Sequence, residues 1–149
     1  MTKMDLNCGT ENEIADEHDE LRRLLQQFRT MLAAKNADRR ELTVRITALA
    51  DLIESHFGHE EEEGGYFSEV LAEAPRLQQK IDALRQQHAE FRTTLDKFRA
   101  LGRGHRGSPH CWQTLELFFD HFIAQFLEHE RIENALVQEA YERDLGDSE

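Results

Sequence analysis

The sequence predicts an all-α protein, an antiparallel up-down bundle of four helices. Apolar residues recur at alternating steps of four and three along four long segments, the spacing that keeps side chains on one helix face. The connections between these segments are mostly short, and helices joined by short loops pack as antiparallel neighbours. No segment shows the alternation of apolar and polar residues that is typical of a β-strand.

Capping residues delimit the first two helices. Thr10 and Glu13 form a candidate capping box at the start of helix A, where each side chain bonds a free backbone N–H of the first turn. Residues 35–37 are the predicted turn, and Asp38 with Glu41 forms a second capping box that opens helix B. Helix A is therefore expected to end near residue 34.

Glycine and proline mark the boundaries of the later helices. Gly64 and Gly65 interrupt helix B, and a further helical segment is expected at 66–73. Pro75 suits the first turn of helix C, because its missing N–H is not needed there.

Helix D is expected to begin at Ser108 and Pro109, as N-cap and first residue, after a loop at residues 102–107. The predicted domain organisation is a flexible N-terminal tail at 1–10, one bundle at 11–142 and a C-terminal tail at 143–149.

Composition restricts the partners of this protein. Thirty acidic residues against eighteen Lys and Arg give the 149-residue chain a net charge of −12, which repels nucleic acid and anionic lipid. No stretch approaches the roughly 18 apolar residues that span a bilayer, and the first residues lack an apolar signal segment. The two cysteines, Cys8 and Cys111, suggest no disulfide framework. We therefore expect a cytoplasmic protein without nucleic acid or membrane partners, whereas its oligomeric state is left open.

Six polar residues lie on the apolar stripes, where hydrophobic side chains are expected. They are His18 on helix A, His56 and Glu60 on helix B, His88 on helix C, and His129 and Glu133 on helix D. A buried carboxylate is very costly unless it is paired or bound to a metal. A single buried histidine is usually satisfied by a hydrogen bond, but six polar groups on four helices favour a metal site in the bundle core.

The height of these residues in the bundle tests the idea. His18 and His56 each lie 19 positions from residue 37 (18 to 37 and 37 to 56), so they should face each other. His88 lies 14 residues before Gly102, but His129 lies 21 after Ser108. The difference of 7 positions is about 10 Å at the standard helical rise, so the loop between helices C and D has to span this offset along the bundle axis.

The spacing within helices B and D indicates two ions. His56 and Glu60 are four residues apart, as are His129 and Glu133, so both members of each pair can reach a common site. Carboxylates can bridge two ions and imidazoles bind one, so the balanced arrangement gives each ion two histidines and shares both glutamates. Non-haem iron suits this mixed ligand set, manganese or zinc could compete, and the lack of cysteine ligands argues against a structural zinc site.

The ordered set H…HxxxE…H…HxxxE resembles the hemerythrin-like (HHE cation-binding) domain family. The matching stretches are EHDEL at 17–21, HFGHEE at 56–61, QH at 87–88 and HERIE at 129–133, and the resemblance extends over about residues 12–141. It implies a four-helix bundle with a non-haem di-iron centre, bridged by two carboxylates and an oxo or hydroxo group.

The chain departs from the family's oxygen carriers. Carriers have a second histidine four residues away on helix C, whereas the positions four before and after His88 are Leu84 and Arg92. Their helix D carboxylate is an aspartate five residues after its histidine, whereas Glu133 follows His129 by four. The resemblance is therefore closer to bacterial HHE proteins, which include iron–sulfur cluster repair proteins.

Two further histidines are candidates for positions just outside the ligand set. His59 and Glu63 form an alternative His-x-x-x-Glu pair on helix B. The residues on that helix face are mostly polar, so we expect His59 on the surface or hydrogen-bonded to a metal ligand. His121 is expected to bond a ligand carboxylate or to line the access route.

Three functions are compatible with these sequence features. The first is a di-iron protein that binds or senses O2, NO or peroxide as its small-molecule partner, with no catalytic residue assigned. The second is a di-iron enzyme or iron donor, for peroxide or NO detoxification or for cluster repair. The third is an interaction module that a metal, such as zinc, stabilises.

Overall fold

The computed structural model describes the backbone of residues 3–147 and the side chains of residues 17–141. Within that range the chain is helical and has no strand, which confirms the all-α prediction. The helices are α1 (Lys3–Ala34), α2 (Arg39–Glu61), α3 (Tyr66–Glu73), α4 (Gln78–Arg103) and α5 (Pro109–Asp147), with a 3₁₀ turn at Pro75–Leu77.

The four long helices form a closed ring. Helix α1 packs on α2, α2 on α4, α4 on α5, and α5 back on α1. The short helix α3 packs on α1, α2 and α5. No described helix combines the length and hydropathy needed to cross a membrane.

Two of the predicted helix starts are confirmed by their caps. The Asp38 carboxylate accepts a hydrogen bond from the Glu41 N–H at 2.8 Å. The Ser108 hydroxyl accepts one from the Cys111 N–H at 3.1 Å. The turn before Asp38 contains Lys35, whose φ of 54° is left-handed and so ends α1.

Other helix ends differ from the prediction. Helix α1 begins at Lys3, so Thr10 lies inside the helix and is not its N-cap, and the predicted flexible tail at 1–10 overlaps helical backbone at residues 3–10. No proline stands in that stretch to stop the helix, and the helix continues through Gly9 despite the low helix propensity of glycine. Pro75 lies in the 3₁₀ turn, and α4 begins only at Gln78. Helix α5 likewise continues to Asp147, into the predicted C-terminal tail.

The apolar interior is divided into two clusters. The larger lies toward the α1–α2 and α4–α5 connections and includes Phe28, Ile46, Phe98 and Phe119. The smaller joins α3 to the start of α4 and the later part of α5. The buried polar residues of the helix stripes form a layer across the bundle beside these clusters. This polar layer therefore lies in the interior of the bundle, away from solvent.

The predicted height mismatch between His88 and His129 is resolved by the loop at 104–108. His88 lies 15 residues before the end of α4 (88 to 103), and His129 lies 20 after the start of α5 (109 to 129). Five residues of helix correspond to about 7 Å, a distance that the five-residue loop can span. The two rings accordingly meet, with their Nε2 atoms 3.1 Å apart.

Candidate metal centre

The six polar residues of the helix stripes converge in the structure. Their side chains form two groups, and within each group one ligand atom per residue lies within 4.8 Å of the others. The first group is His18, His56, Glu60 and Glu133, and the second is Glu60, His88, His129 and Glu133. All six residues are at most 5% exposed. The two groups share both glutamates, as the sequence predicts for a pair of ions.

The donor atoms face one another at short range. Nε2 of His18 lies 3.1 Å from Nε2 of His56, matching the separation of the His88 and His129 pair. Oε1 of Glu60 lies 3.2 Å from Nε2 of His88, and Oε1 of Glu133 lies 3.0 Å from Nε2 of His129. None of the four carboxylate oxygens of these glutamates has a hydrogen-bond partner among the described residues.

Three residues outside this set orient the imidazoles from behind. Nδ1 of His56 lies 2.5 Å from the Glu17 carboxylate. Nδ1 of His88 lies 3.1 Å from Glu61, and Nδ1 of His129 lies 2.6 Å from the amide oxygen of Gln87. Each of these oxygens accepts, so each Nδ1 carries the proton and donates. The Nε2 lone pairs are thereby left to point inward, the tautomer that binds a metal.

These three acceptors were not among the residues predicted from the sequence. A signal was present, because Glu17, Glu61 and Gln87 each stand next to a stripe residue along the chain. Which neighbouring imidazole each one reaches depends on the rotation of the adjacent helix.

Burial disfavours the charged form of three of the imidazoles. Desolvation lowers the pKa of His18 and that of His88 to about 4, and the pKa of His129 to about 3. These rings are therefore unprotonated at neutral pH, the state in which they can bind a cation. Burial also raises the pKa of the Glu133 carboxyl well above its ordinary value. An uncompensated buried anion is unfavourable, and a cation between the carboxylates would relieve that cost.

Two arginines flank the centre, each paired to a carboxylate. Arg22 of α1 donates two hydrogen bonds to Glu130, at 3.2 and 3.0 Å, and Glu130 is 1% exposed. Burial raises the pKa of the Glu130 carboxyl even though Arg22 opposes that shift. Arg92 of α4 donates to Glu61 at 2.9 Å.

The remaining two candidate histidines lie outside the cluster. His59 is half exposed, and its Nδ1 lies 2.5 Å from Glu17, so that one carboxylate links it to His56. His121 is exposed and lines a cavity of about 440 Å³ between α4 and α5, and buried His129 also contributes to the wall of this cavity.

Aromatic rings shield the centre from solvent. Phe57 stacks on His88 with ring centroids 3.9 Å apart, and Phe67 also stacks on that imidazole at 5.3 Å. Phe91 makes an edge contact with His129 at 5.4 Å. An apolar wall of this kind limits water access and strengthens electrostatic interactions inside it.

The residues present fit a pair of bound cations. Four imidazoles and two carboxylates, whose oxygens lack hydrogen-bond partners among the described residues, meet in one buried layer of a helical bundle. Fold and site together define the class as a metal-binding four-helix bundle.

Comparison with known families gives the same answer. The family model of the hemerythrin HHE cation-binding domain matches residues 10–141, so the chain belongs to this family. Neither a curated protein nor a solved structure matched the chain.

Proposed function

We propose that this protein is a non-haem di-iron protein that binds or senses O2, NO or peroxide. The observation that carries the proposal is the sharing of Glu60 and Glu133 by two groups of four donors, because a shared carboxylate pair suits two adjacent cations. In this proposal His18 and His56 hold one ion, and His88 and His129 hold the other. Bound iron would supply the redox chemistry that recognition of such small molecules involves.

The contribution of α4 supports an open coordination position. His88 is the one imidazole that this helix directs into the donor cluster among the described residues. Leu84, four residues earlier, packs in the smaller apolar cluster, and Arg92, four residues later, is engaged by Glu61. Each ion would then have two imidazoles and two shared carboxylates, which leaves room for a small ligand.

The protein's own residues control that position in two ways. The Nδ1 acceptors hold protons on the outer side of His56, His88 and His129, so these rings stay in the metal-binding tautomer. The phenylalanines around His88 and His129 exclude bulk water, which favours small neutral molecules over hydrated ions.

The central test is metal content after replacement of a bridging residue. The purified protein, loaded anaerobically with ferrous iron, should retain two iron ions per chain. Glu133→Ala should lose most of that iron, because both ions lose a ligand. Glu63→Ala is the matched control, since Glu63 is an exposed glutamate outside both donor groups, and it should keep both ions. Retention of two ions by Glu133→Ala would overturn the assignment.

Optical spectra separate a binding protein from an enzyme. The cavity beside His129 gives small molecules a place next to the centre, so turnover is a real second candidate. A stable spectral change on adding O2, NO or peroxide, without consumption beyond one equivalent, supports binding or sensing. Repeated consumption of peroxide or NO supports the enzyme instead.

A further inference from the structure

We propose that the two metal positions are unequal and fill in a fixed order. The position between His18 and His56 binds its cation first and more tightly, and the position between His88 and His129 binds second. This inference rests on the proposed function, because it assumes that both donor groups take cations. It concerns the charges behind the imidazoles, which differ between the two sides of the centre.

On the His18 and His56 side, the outer carboxylate is held by imidazoles and not by an arginine. Glu17 contacts the Nδ1 atoms of His56 and His59, both at 2.5 Å. Glu130 on this side is paired with Arg22 through two hydrogen bonds, so their charges offset each other, and the exposed Asp19 lies 3.9 Å from the same guanidinium. Among the described residues, Glu17 is therefore the carboxylate that contacts an imidazole of this position without also binding an arginine.

The opposite side is closer to neutral. Behind His129 stands the amide of Gln87, which accepts a hydrogen bond without bringing a charge. Behind His88 stands Glu61, but Arg92 binds the same carboxylate at 2.9 Å. The positive charge of Arg92 offsets that of Glu61, and Gln87 adds none.

This difference favours one cation position over the other. A carboxylate that accepts from Nδ1 makes the imidazole a stronger electron donor and attracts the cation through the ring, whereas an amide does so less. Replacing such an outer partner typically changes metal affinity by about 10- to 100-fold. We expect a difference of the same order between the two positions of the unaltered protein.

The experiment titrates Zn²⁺ into metal-free, full-length protein, because zinc is diamagnetic and free of redox change. Isothermal titration calorimetry measures the two affinities. NMR spectra of the ¹⁵N-labelled imidazoles show which histidines bind at each step, since metal binding shifts the Nε2 resonance. The expected result is two steps at least about tenfold apart in affinity, with His56 shifting during the first and His129 only during the second.

Two substitutions that barely change side-chain shape alter the charges behind the imidazoles. One removes the carboxylate behind His56 and the other places a carboxylate behind His129. Glu17→Gln should weaken the first step by about 10- to 100-fold, and Gln87→Glu should strengthen the second, so each narrows the gap. The double variant should reverse the order, with His129 shifting first. Glu63→Gln removes one negative charge from an exposed position and should leave both steps unchanged. Circular dichroism of each variant checks that the bundle is intact.

Two outcomes would overturn the inference. One is two zinc ions that bind with equal affinity while His56 and His129 shift together. The other is a pair of charge-exchange variants that alter the same step in the same direction. Either result would leave the di-iron proposal standing, because that proposal fails only if iron is not held by the shared carboxylates.

Discussion

At the residue scale, the hydrogen bonds to the Nδ1 atoms of three imidazoles each join one helix to the next around the bundle. Glu17 on α1 supports His56 on α2, Glu61 on α2 supports His88 on α4, and Gln87 on α4 supports His129 on α5. Each supporting residue is the sequence neighbour of a residue in the donor cluster. One turn of helix therefore supplies both a donor residue and a hydrogen-bond acceptor for an imidazole of the next helix. Glu130, the neighbour of His129, closes the ring through its bond to Arg22 of α1.

The two carboxylates shared by the donor groups should reduce the stability of the protein when no metal is bound. Glu60 is fully buried, and neither of its oxygens has a hydrogen-bond partner among the described residues. Glu60→Gln replaces this buried carboxyl group with a neutral amide of the same shape, so the metal-free variant should be more stable than the metal-free parent by about 1–3 kcal/mol. Urea denaturation of both proteins measures this difference.

In the metal-loaded protein, Glu60→Gln should instead lower the free energy of unfolding relative to the parent. Saturation at a hundredfold excess over Kd stabilises the parent by about 2.7 kcal/mol for each bound ion, hence about 5.4 kcal/mol for two, and the variant should lose most of that gain. Glu90→Gln, at an exposed position, provides the control and should change neither state. A variant that is less stable than the parent in both states would show that Glu60 has a structural role independent of metal.

At the element scale, α2 and α4 approach closely near the end of α4. A Cβ atom placed on Gly102 would lie 2.6 Å from Cδ1 of Ile46, so the glycine permits this contact. Both residues are buried. The helix tolerates the low propensity of glycine there because the neighbouring helix fills the space that a side chain would need.

A double-mutant cycle tests this packing. Gly102→Ala alone should destabilise the protein by about 0.5–1.5 kcal/mol, because the terminal Cδ1 methyl of buried Ile46 has to turn to a less favourable rotamer. Ile46→Val removes the Cδ1 atom, and in that background the alanine should be neutral or stabilising. Thermal and urea unfolding give the four free energies, and additive effects of the two replacements would contradict a direct contact.

At the scale of the whole molecule, the described core consists of a larger and a smaller apolar cluster beside the donor layer. The smaller cluster contains nine buried residues against twenty in the larger, and it depends on the eight-residue helix α3. The layer of donor residues contributes little to stability until a cation offsets the cost of burying its carboxylates. The two ends of the bundle should therefore differ in local stability when metal is absent.

Hydrogen exchange can measure that difference. In the metal-free protein, amides of α3 and of the first turns of α4 should exchange faster than those of α2 near Ile46, because fewer apolar contacts protect them. Metal binding should slow exchange at α3 by at least about tenfold, since it joins the two clusters through the ligands. Equal protection at both ends of the metal-free protein would show that the clusters unfold as one unit.

Much of the fold and of the donor cluster could be predicted from the sequence, because helical phase is a local property. His18, His56, Glu60, His88, His129 and Glu133 are all buried and close together, as their stripe positions predict. The caps at Asp38 and Ser108 were also predictable, since each bonds an N–H three residues ahead.

The remaining features depend on properties that the sequence does not show directly. The pairing of Glu17 with His56 requires the rotation of α1 against α2, which no local pattern determines. The early start of α1 at Lys3 was missed because Thr10 and Glu13 resemble a capping box yet lie within a stretch that can remain helical. Capping signals indicate where a helix can begin, whereas the actual start also depends on the residues before them.

The sandwiched imidazole of His88 has a consequence for how long a cation would stay. Phe57 and Phe67 lie against this ring and are themselves fully buried, so His88 cannot swing aside unless a phenylalanine moves first. Phe67 belongs to α3, and its neighbour Tyr66 donates a hydrogen bond to the backbone carbonyl of Glu133. If a cation is bound at His88, its escape should be limited by the rate at which α3 moves away from this ring.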